Sequence, residues 1–415
     1  GVEKRYFCQR EDGSDFVAAV WPGDTHFPDF LNKDARKWFG DKYSFLIRQG
    51  IEGFWNDMNE PAIFYSSEGM EEAKKLAGEF SQDKEGKIHI WKMQGELNGL
   101  ANNPEDYRRF YHNVDGKKIR HDKVHNLFGY YMTRSASEAF ERYVPEKRIL
   151  LFSRASYIGM HRFGGIWQGD NASWWSHLKM NVKMMPSLNM CGFLYTGADV
   201  GGFGADATED LVLRWLEFAV FTPLLRNHSA RGTRRQEVYR FSHVEKFADV
   251  IGVRYQILPY IYSEYMKAAL RNTMMFNPLS FLYGEDALAR QVEDQLFIGE
   301  NVMVAPVCEQ NVTGRVVYFQ ERMKQLIFKD GIVEEGKVYE KGFSYVEMPM
   351  GTVHIFLREG YLFPVAKGGK CVEAVDFEDL TLYSFGEEIK PYEYYLDDGE
   401  TKDFALESHI RMLSC

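Results

Sequence analysis

Two aspartates of this 415-residue chain stand in settings that suit acid–base or nucleophilic chemistry. Asp57 and Asp170 each close a short apolar run, and each follows a tryptophan by two or three residues. Hydrolysis of an acetal needs two carboxyl groups, one on each side of the bond that breaks. In the retaining mode one carboxylate attacks the anomeric carbon and the other carboxyl group protonates the leaving oxygen. We therefore take Asp57 and Asp170 as a candidate catalytic pair.

Each aspartate also has a purely structural interpretation. Asp170 precedes a predicted helix that starts near Ser173, so its side chain could serve only as a helix N-cap. Asp57 could be a turn residue ahead of Pro61. Two carboxylates at matching ends of two predicted strands nevertheless favour catalysis over two unrelated turns.

The elements that would position these side chains alternate between strand and helix. This alternation predicts an α/β fold with a parallel sheet, and functional groups at the ends of successive strands are typical of a (β/α)8 TIM barrel. The apolar runs lie at residues 16–21, 53–57, 149–154, 165–170, 193–199 and 222–228. Helical periodicity is clearest at 33–49, 122–142, 173–188 and 209–221, and an amphipathic helix at 246–270 should close the barrel.

Six strands cannot close a barrel of eight. We expect the first barrel strands to be missing from this chain, so that residues 16–21 form the third strand. That strand and the one that ends at His228 would each have an unpaired edge, and burying an unpaired backbone group costs about 1–3 kcal/mol. We therefore expect both edges to be left open or covered by a missing N-terminal segment or chain, and the isolated chain to be poorly soluble.

The remaining sequence predicts an insertion and a β-rich C-terminal region. Polar residues 60–121 interrupt the alternation and indicate an inserted loop or subdomain beside the site. We predict an incomplete catalytic barrel over 1–275, a proximal C-terminal β-sandwich over 276–365 and a distal β domain over 366–415. Short β-rich segments in the C-terminal region lie at 301–307, 314–319, 343–349 and 352–357.

The bulk composition argues against several classes of function. The net charge of -10 disfavours nucleic acid as a partner, because binding it requires a positive surface. No apolar run is long enough to cross a bilayer, so we expect no membrane partner. The five cysteines form no CxxC pair, which favours a reducing, cytoplasmic location and predicts no metal site, and we expect no cofactor. Aromatic residues make up 15% of the chain, and sugar-binding clefts use aromatic faces.

A series of motifs resembles glycoside hydrolase family 31, in the order in which the family carries them. The resemblance runs from about Val20 to Pro306 and implies a TIM barrel followed by C-terminal β domains. The motifs are WNDMNEP at 55–61, like the family's nucleophile signature, Arg154 followed by WQGDN at 167–171, like its acid/base segment, and the further blocks GADVGGF at 197–203, RNH at 226–228 and RYQILPY at 254–260.

The resemblance implies a role for each candidate residue. Asp57 would form the covalent glycosyl-enzyme intermediate, and Asp170 would protonate the departing oxygen and then deprotonate the attacking water. Arg154 and His228 would hydrogen-bond hydroxyls of the sugar, and Asp199 would orient one of them. The pocket walls would be Trp21, Trp55, Met58, Trp167 and Phe203.

Structural alternatives to these roles remain open at the level of sequence. Large apolar side chains such as Met58, Trp167 and Phe203 could be ordinary core residues. Arg154 could be an ion-pair partner of Asp199, and a histidine such as His228 is more often structural than functional.

Within the family, the stretch around Asp57 resembles the α-glucosidase branch. This implies a retaining enzyme that releases α-glucose from the non-reducing ends of small α-glucosides or oligosaccharides, with a small carbohydrate as its ligand. The alternatives are an α-xylosidase, a transglucosidase, an α-glucan lyase, a non-catalytic binding homologue, and an inactive structural half of a two-chain enzyme. Relatives usually carry a β-sandwich and the first barrel strands ahead of this region, and those strands supply a further sugar-binding carboxylate.

Overall fold

The computed structural model describes residues 1–414, and Cys415 lies outside them. The chain divides into two units, Gly1–Gly164 and Gly165–Cys415, which are described separately. The domain boundaries expected from the sequence stay predictions.

The first unit contains strands β1 Val17–Val20, β2 Gly23–His26, β3 Gly53–Asn56, β4 Tyr65–Ser66, β5 Tyr111–Val114, β6 Lys117–Arg120 and β7 Leu150–Ser153, and helices α1 Lys33–Gly40, α2 Tyr43–Ile47, α3 Ser67–Gln82, α4 Ile90–Asn98 and α5 Leu127–Tyr143.

Strands β3 and β7 pair in parallel, in register from Gly53 opposite Leu150 to Asn56 opposite Ser153. Parallel neighbours need a crossover connection, and the amphipathic helix α5 lies on that connection and packs on the strands. Its Phe140 stacks on Phe54 of β3, with the ring centroids 5.2 Å apart. The parallel strands predicted at 53–57 and 149–154 are thereby confirmed, and both end at the same edge.

Residues 16–21 behave differently from the prediction. Strand β1 pairs antiparallel with β2 on one side and with β4 on the other. The dipeptide Pro22-Gly23, with a positive φ of 98° at Gly23, turns the chain back at once. The prediction that this run is a parallel barrel strand with one unpaired edge was therefore wrong.

Two further segments of the first unit refine the sequence prediction. The helix predicted at 33–49 is divided into α1 and α2. Asn32 caps α1 by accepting hydrogen bonds from the backbone of its first turn. Gly40 ends that helix so close to α5 that a Cβ there would lie 2.5 Å from the Ser135 carbonyl oxygen. The polar insertion at 60–121 contains β4, α3, α4 and the antiparallel pair β5–β6.

The second unit begins with short parallel strands and ends in antiparallel sheets. Its strands are β8 Gly165–Ile166, β9 Asp199–Val200, β10 Arg226–Asn227, β11 Phe276–Pro278, β12 Leu296–Ile298, β13 Val302–Val304, β14 Gly314–Phe319, β15 Met323–Lys329, β16 Ile332–Tyr339, β17 Gly342–Glu347, β18 Val353–Arg358, β19 Leu362–Ala366, β20 Leu380–Ser384, β21 Tyr392–Tyr395 and β22 Ile410–Leu413. Its helices are α6 Trp175–Met190, α7 Glu209–Ala219, α8 Val244–Arg271, α9 Leu279–Leu282 and α10 Leu406–His409.

Strands β9 and β10 pair in parallel across helix α7, as the α/β pattern predicts. Each has only two residues, although the apolar runs that precede them are longer. The two runs approach each other closely, and a Cβ at Gly197 would lie 2.1 Å from the Leu224 carbonyl oxygen. Backbone hydrogen bonds still tie these runs together, for example from Leu224 N to Thr196 O at 3.1 Å. The predicted open edge beside β10 stays a prediction.

The C-terminal part of the second unit is rich in antiparallel sheet, as predicted. Six strands form one sheet in the order β11-β12-β13-β18-β15-β16, and β14–β17, β19–β20 and β21–β22 form two-stranded sheets. Helix α8 packs on this region through the fully buried Tyr260, whose ring lies 4.8 Å from Phe363 of β19 and 5.6 Å from Tyr392 of β21. Among residues 1–414, no helix is both long and apolar enough to cross a bilayer.

Candidate functional site

Asp57 immediately follows β3, and its side chain is 49% exposed. Its Oδ1 accepts a hydrogen bond from the backbone N–H of Met58 at 2.8 Å and lies 3.2 Å from Nη1 of Arg154. Met58 has a positive φ of 60°, which a non-glycine residue adopts rarely. The turn after β3 therefore presents a carboxylate to solvent with one fixed cation beside it.

Arg154 follows β7 and is held from several sides. Its Nε donates to Glu60 Oε1 at 2.7 Å and its Nη2 to Glu60 Oε2 at 3.2 Å, and Nη2 also lies 2.9 Å from the sulfur of Met58. Such a two-point contact fixes the plane of a guanidinium. Glu60 was not selected from the sequence as a site residue, although it lies in the same motif as Asp57. Arg154 thus pairs with the carboxylates of both Asp57 and Glu60.

The aromatic residues predicted as walls in the first unit have different surroundings. Trp55 stacks on Phe152 of β7, with the centroids 4.7 Å apart. Trp21, in the turn between β1 and β2, is 78% exposed and meets the ring of Phe64 edge-on at 5.0 Å. An exposed indole face is suited to stacking on a sugar, whereas Trp55 is partly covered by its strand neighbour.

The turns after β3 and β7 are also joined directly. Asn59 donates from Nδ2 to Ser153 Oγ at 2.9 Å and accepts from the backbone N–H of Ala155 at 3.1 Å. Helix α5 abuts this joint, because a Cβ at Gly129 would lie 2.8 Å from Asn59 O and 2.6 Å from Ala155 Cβ. The segments that carry Asp57 and Arg154 are therefore held as one piece.

In the second unit, Asp170 is exposed and follows Gly169, whose φ is 77°. Its neighbour Asn171 is buried and binds three segments. Nδ2 of Asn171 donates to Asn181 Oδ1 at 3.0 Å and to Asp199 O at 3.1 Å, and its Oδ1 accepts from the backbone of Phe203 at 3.1 Å. The N-cap position of α6 is Trp174, so Asp170 does not cap that helix.

Asp199 is fully buried at the start of β9, and its partner is Arg226 of β10. Arg226 Nε donates to Asp199 Oδ1 at 2.6 Å, and its guanidinium lies 5.5 Å from the ring of the buried Trp167. Burial raises the pKa of Asp199, against the opposing charges of Arg226 and His228. Arg226 was not selected from the sequence, although it stands two residues from His228 in the same motif.

The half-buried Phe203 and the exposed His228 stack in this cluster, with their rings 5.3 Å apart. The loop before Phe203 passes very close to the segment that leads into α6, since a Cβ at Gly202 would lie 2.4 Å from the Ser173 nitrogen. Beneath it, the buried amide nitrogen of Gln236 faces four acceptors. They are Gly202 O at 3.0 Å, and Val200 O, His228 O and Asn227 Oδ1 at 3.2 Å each.

The predicted site residues therefore form two clusters. In the first unit Asp57, Met58 and Arg154 are in mutual contact, with Trp55 and Trp21 on neighbouring strand and turn. In the second unit Asp199 and Trp167 meet at Arg226, and Phe203 stacks on His228 near the segment of Asp170. That Asp57 and Asp170 face each other across a pocket stays a prediction.

A group of possible metal ligands lies elsewhere in the first unit. Donor atoms of Cys8, Asp29 and His112, all buried, lie within 4.8 Å of one another. Each already has a hydrogen-bond partner: Asp29 contacts His112 Nδ1 at 2.7 Å and the backbone N–H of Asn113 at 2.7 Å, and the Cys8 thiol donates to Pro28 O at 3.8 Å. We assign no metal to this group.

Two family models match the chain. The TIM-barrel domain of glycosyl hydrolases family 31 matches residues 1–264, and the C-terminal domain of glycosyl hydrolase family 31 matches residues 272–363. Among curated relatives, alpha-glucosidase 2 of Bacillus thermoamyloliquefaciens is 31% identical over 99% of this chain and 48% of its own length. The alpha-glucosidase of Saccharolobus solfataricus is 30% identical over 86% of this chain and 49% of its own length. The chain thus spans about half the length of these relatives.

Solved structures agree on the fold. A dextranase of this family from Flavobacterium johnsoniae, complexed with glucose, matches with a TM-score of 0.78 at 22% identity, over 97% of this chain and 46% of its own. The alpha-1,4-glucan lyase of Gracilariopsis lemaneiformis matches with a TM-score of 0.79 at 21% identity, over 96% of this chain and 44% of its own.

Proposed function

Because this chain belongs to glycoside hydrolase family 31, as its motifs predicted, we propose that it carries the catalytic residues of a retaining α-glucosidase. The substrate would be a small α-glucoside or oligosaccharide, cleaved at its non-reducing end. The observation that supports this most directly is the arrangement of Asp57, Arg154 and Glu60. It places one exposed carboxylate beside one immobilised cation at the end of a parallel strand, where this fold carries its active site. The curated relatives cited above are named α-glucosidases.

The proposed reaction has two displacements. In the first, an oxygen of Asp57 attacks the anomeric carbon while Asp170 donates its proton to the departing glycosidic oxygen. In the second, Asp170, now a carboxylate, takes a proton from water as that water attacks the anomeric carbon and releases Asp57. Two inversions give net retention.

Arg154 supports the assignment of Asp57 as the nucleophile. Its Nη1 lies 3.2 Å from Asp57 Oδ1, so a fixed cation stands beside the carboxylate that would attack the anomeric carbon.

The pocket proposed here uses the residues around these carboxylates. Trp21 offers an exposed indole face, Phe203 and His228 a stacked pair, and Arg154 and His228 hydrogen-bond donors for sugar hydroxyls. Trp55, Met58 and Trp167 would complete the walls. Asp199 would act indirectly, by holding Arg226 in place.

The decisive experiment compares p-nitrophenyl α-glucoside with the α-xyloside, using the full-length protein. We expect preferential hydrolysis of the glucoside, with α-glucose as the first product by proton NMR. Release of β-glucose as the first product would contradict a retaining mechanism. Preference for the xyloside would identify an α-xylosidase instead of an α-glucosidase. An unsaturated anhydro-sugar would identify a lyase, which shares the nucleophile but ends in elimination. Asp57→Asn, nearly identical in shape, provides the matched inactive control.

A further inference from the structure

A run of buried, hydrogen-bonded groups crosses the first unit. Asp29 Oδ1 and His112 Nδ1 are 2.7 Å apart, His112 Nε2 and His121 Nδ1 are 2.9 Å apart, and His121 Nε2 and His125 Nδ1 are 2.8 Å apart. The first three residues are buried and His125 is half-buried. We call these four residues the histidine chain. The reaction proposed above uses none of them.

With every imidazole neutral, the protons of the histidine chain have one consistent order. The Asp29 carboxylate can only accept, so His112 donates from Nδ1 and accepts at Nε2. His121 then donates from Nδ1 and accepts at Nε2, and His125 donates from Nδ1. Burial, reinforced by the two neighbouring histidines, lowers the pKa of His121 to about 2. The central ring therefore stays neutral at any ordinary working pH, and each link joins one donor to one acceptor.

The histidine chain ends at His125, whose neighbour Tyr107 contacts Pro61, the residue after Glu60, and Glu60 is the carboxylate that holds Arg154. The ring centroid of His125 lies 4.6 Å from that of Tyr107, and the Tyr107 hydroxyl donates to Pro61 O at 3.3 Å. The charge of Glu60 acts on both His125 and Tyr107. His125 is thus surrounded by His121, Tyr107 and Glu60 as its titratable neighbours.

The His125 end of the histidine chain also adjoins the first turn of α5. His125 stands just before that helix, and Gly129 within it touches Asn59 and Ala155 with no room for a side chain. Asn59 and Ala155 closely follow Asp57 and Arg154 in sequence. A displacement of the first turn of α5 would therefore move both turns that carry the charged pair.

We propose that the histidine chain is a positioning network that fixes the first turn of α5 and the neighbourhood of Glu60, so that Arg154 stays directed at Asp57. His125 is the positioning residue at its working end, because it acts through Glu60 and Arg154. The catalytic consequence rests on the function proposed above, whereas the structural consequence does not.

His125→Leu in the full-length protein tests this proposal. Leucine has a similar volume and removes the hydrogen bond to His121, whereas His125→Asn keeps a donor near the Nδ1 position. We expect His125→Leu to lower kcat on an activated aryl α-glucoside about tenfold to a hundredfold, as a displacement of about 1 Å does. His125→Asn should restore kcat.

Hydrogen–deuterium exchange gives a readout that needs no activity. In His125→Leu, exchange should rise at residues 51–60 and 150–155. The matched control is His354→Leu in β18, which removes buried contacts to Gln325 at 2.8 Å and Thr352 at 2.7 Å. It should lower the stability of the protein without raising exchange in those two segments.

Wild-type kinetics and exchange in His125→Leu would overturn the positioning network, and so would an equal effect from His354→Leu. If the wild-type protein hydrolyses no α-glycoside, the proposed function fails, and the exchange data alone decide the role of the histidine chain.

Discussion

At the scale of single residues, the candidate site consists of charges that each have a further fixed partner. Arg154 reaches Asp57 while Glu60 holds its guanidinium from the other side, and Arg226 is held between Asp199 and Trp167. Immobilised partners matter because catalysis depends on position as much as on charge. Each partner is therefore a target for substitution.

Replacement of the nucleophile should abolish turnover while the protein stays folded. Asp57→Ala is expected to lower kcat on the order of 10⁴- to 10⁶-fold, as loss of a nucleophile does elsewhere. Added azide should attack from the vacated face and yield a β-glycosyl azide, detectable by mass spectrometry and NMR. Near-normal turnover in this variant would remove Asp57 from the mechanism.

Replacement of the acid should depend on the leaving group. Asp170→Ala should harm alkyl glucosides and disaccharides far more than aryl glucosides, because an activated leaving group needs no proton. The basic limb of the kcat/KM profile should disappear in the same variant. Equal loss on both classes of substrate, measured with p-nitrophenyl α-glucoside and maltose, would show that Asp170 is not the acid.

The ion pair of Asp199 and Arg226 is expected to contribute to the free energy of unfolding. Arg226→Met should cost about 3–5 kcal/mol, because it leaves a buried carboxylate unpaired, and Asp199 Oδ2 has no hydrogen-bond partner among the described residues. Adding Asp199→Asn should recover much of this loss, since the buried charge is then gone. Urea unfolding of the two single variants and the double variant measures the coupling, and strict additivity would argue against the pair.

At the scale of elements, the sequence predicted the parallel strand pairs in which a helix connects one strand to the next. An apolar run, an amphipathic helix and a second apolar run pack in one favourable way, so β3–α5–β7 and β9–α7–β10 followed from the pattern. The partners of β1 could not be predicted in this way, because a short apolar run has the same pattern in a parallel and in an antiparallel sheet. One of those partners, β4, has only two residues and no periodicity to detect.

The loop before Phe203 makes a prediction about backbone geometry. Gly202→Ala should destabilise the protein and raise KM, because φ is 89° there and the new Cβ would meet the Ser173 nitrogen at 2.4 Å. Phe203 and His228 would move with the loop. Gly78→Ala is the control, since that exposed glycine lies within α3 with no atom in reach of a Cβ. It should stabilise by about 0.5–1 kcal/mol, and wild-type behaviour of Gly202→Ala would refute the argument.

At the scale of the whole molecule, the predicted TIM barrel with a β-rich C-terminal region is confirmed by the two family models. The motifs singled out Asp57, Arg154, Asp170 and His228 as candidate site residues, because each follows a predicted strand, and their roles stay predictions. They could not locate the histidine chain. Its members are ordinary residues that come together only when β5, β6 and the start of α5 fold against the segment of Asp29.

Acid should weaken the fold in both units through buried histidines. Burial lowers the pKa of His121 to about 2 and that of His354 to about 4, from an ordinary value near 6.5. In the unfolded chain both rings bind protons below about pH 6.5, whereas in the folded protein they do not. Their contribution to stability is therefore complete above about pH 6.5 and is lost as the pH falls towards 4 and below, by up to about 1.4 kcal/mol per pH unit for each ring.

The buried acids Glu217 and Asp199 act in the opposite direction, because burial raises the pKa of both. The pKa of Glu217 is raised to about 7, so its contribution is complete below about pH 4.5 and is lost as the pH rises through about 7. The two histidines should outweigh these acids, and the urea midpoint should fall between pH 6.5 and 4. His354→Asn should flatten this slope and Glu217→Gln should steepen it. A midpoint that is constant or rises over this range would contradict the assignment.

The amide of Gln236 has a consequence for laboratory evolution. It carries two hydrogens but faces four acceptors, which belong to the loop of Gly202 and to the segment around His228. When one acceptor shifts, an amide hydrogen can bond to another acceptor instead. The Gln236 amide can therefore keep both hydrogen bonds while the two loops change conformation. Libraries aimed at new substrate preference should therefore vary these two loops at positions other than Gly202 while keeping residue 236 as glutamine. Its loss would turn many tolerable loop variants into misfolded ones.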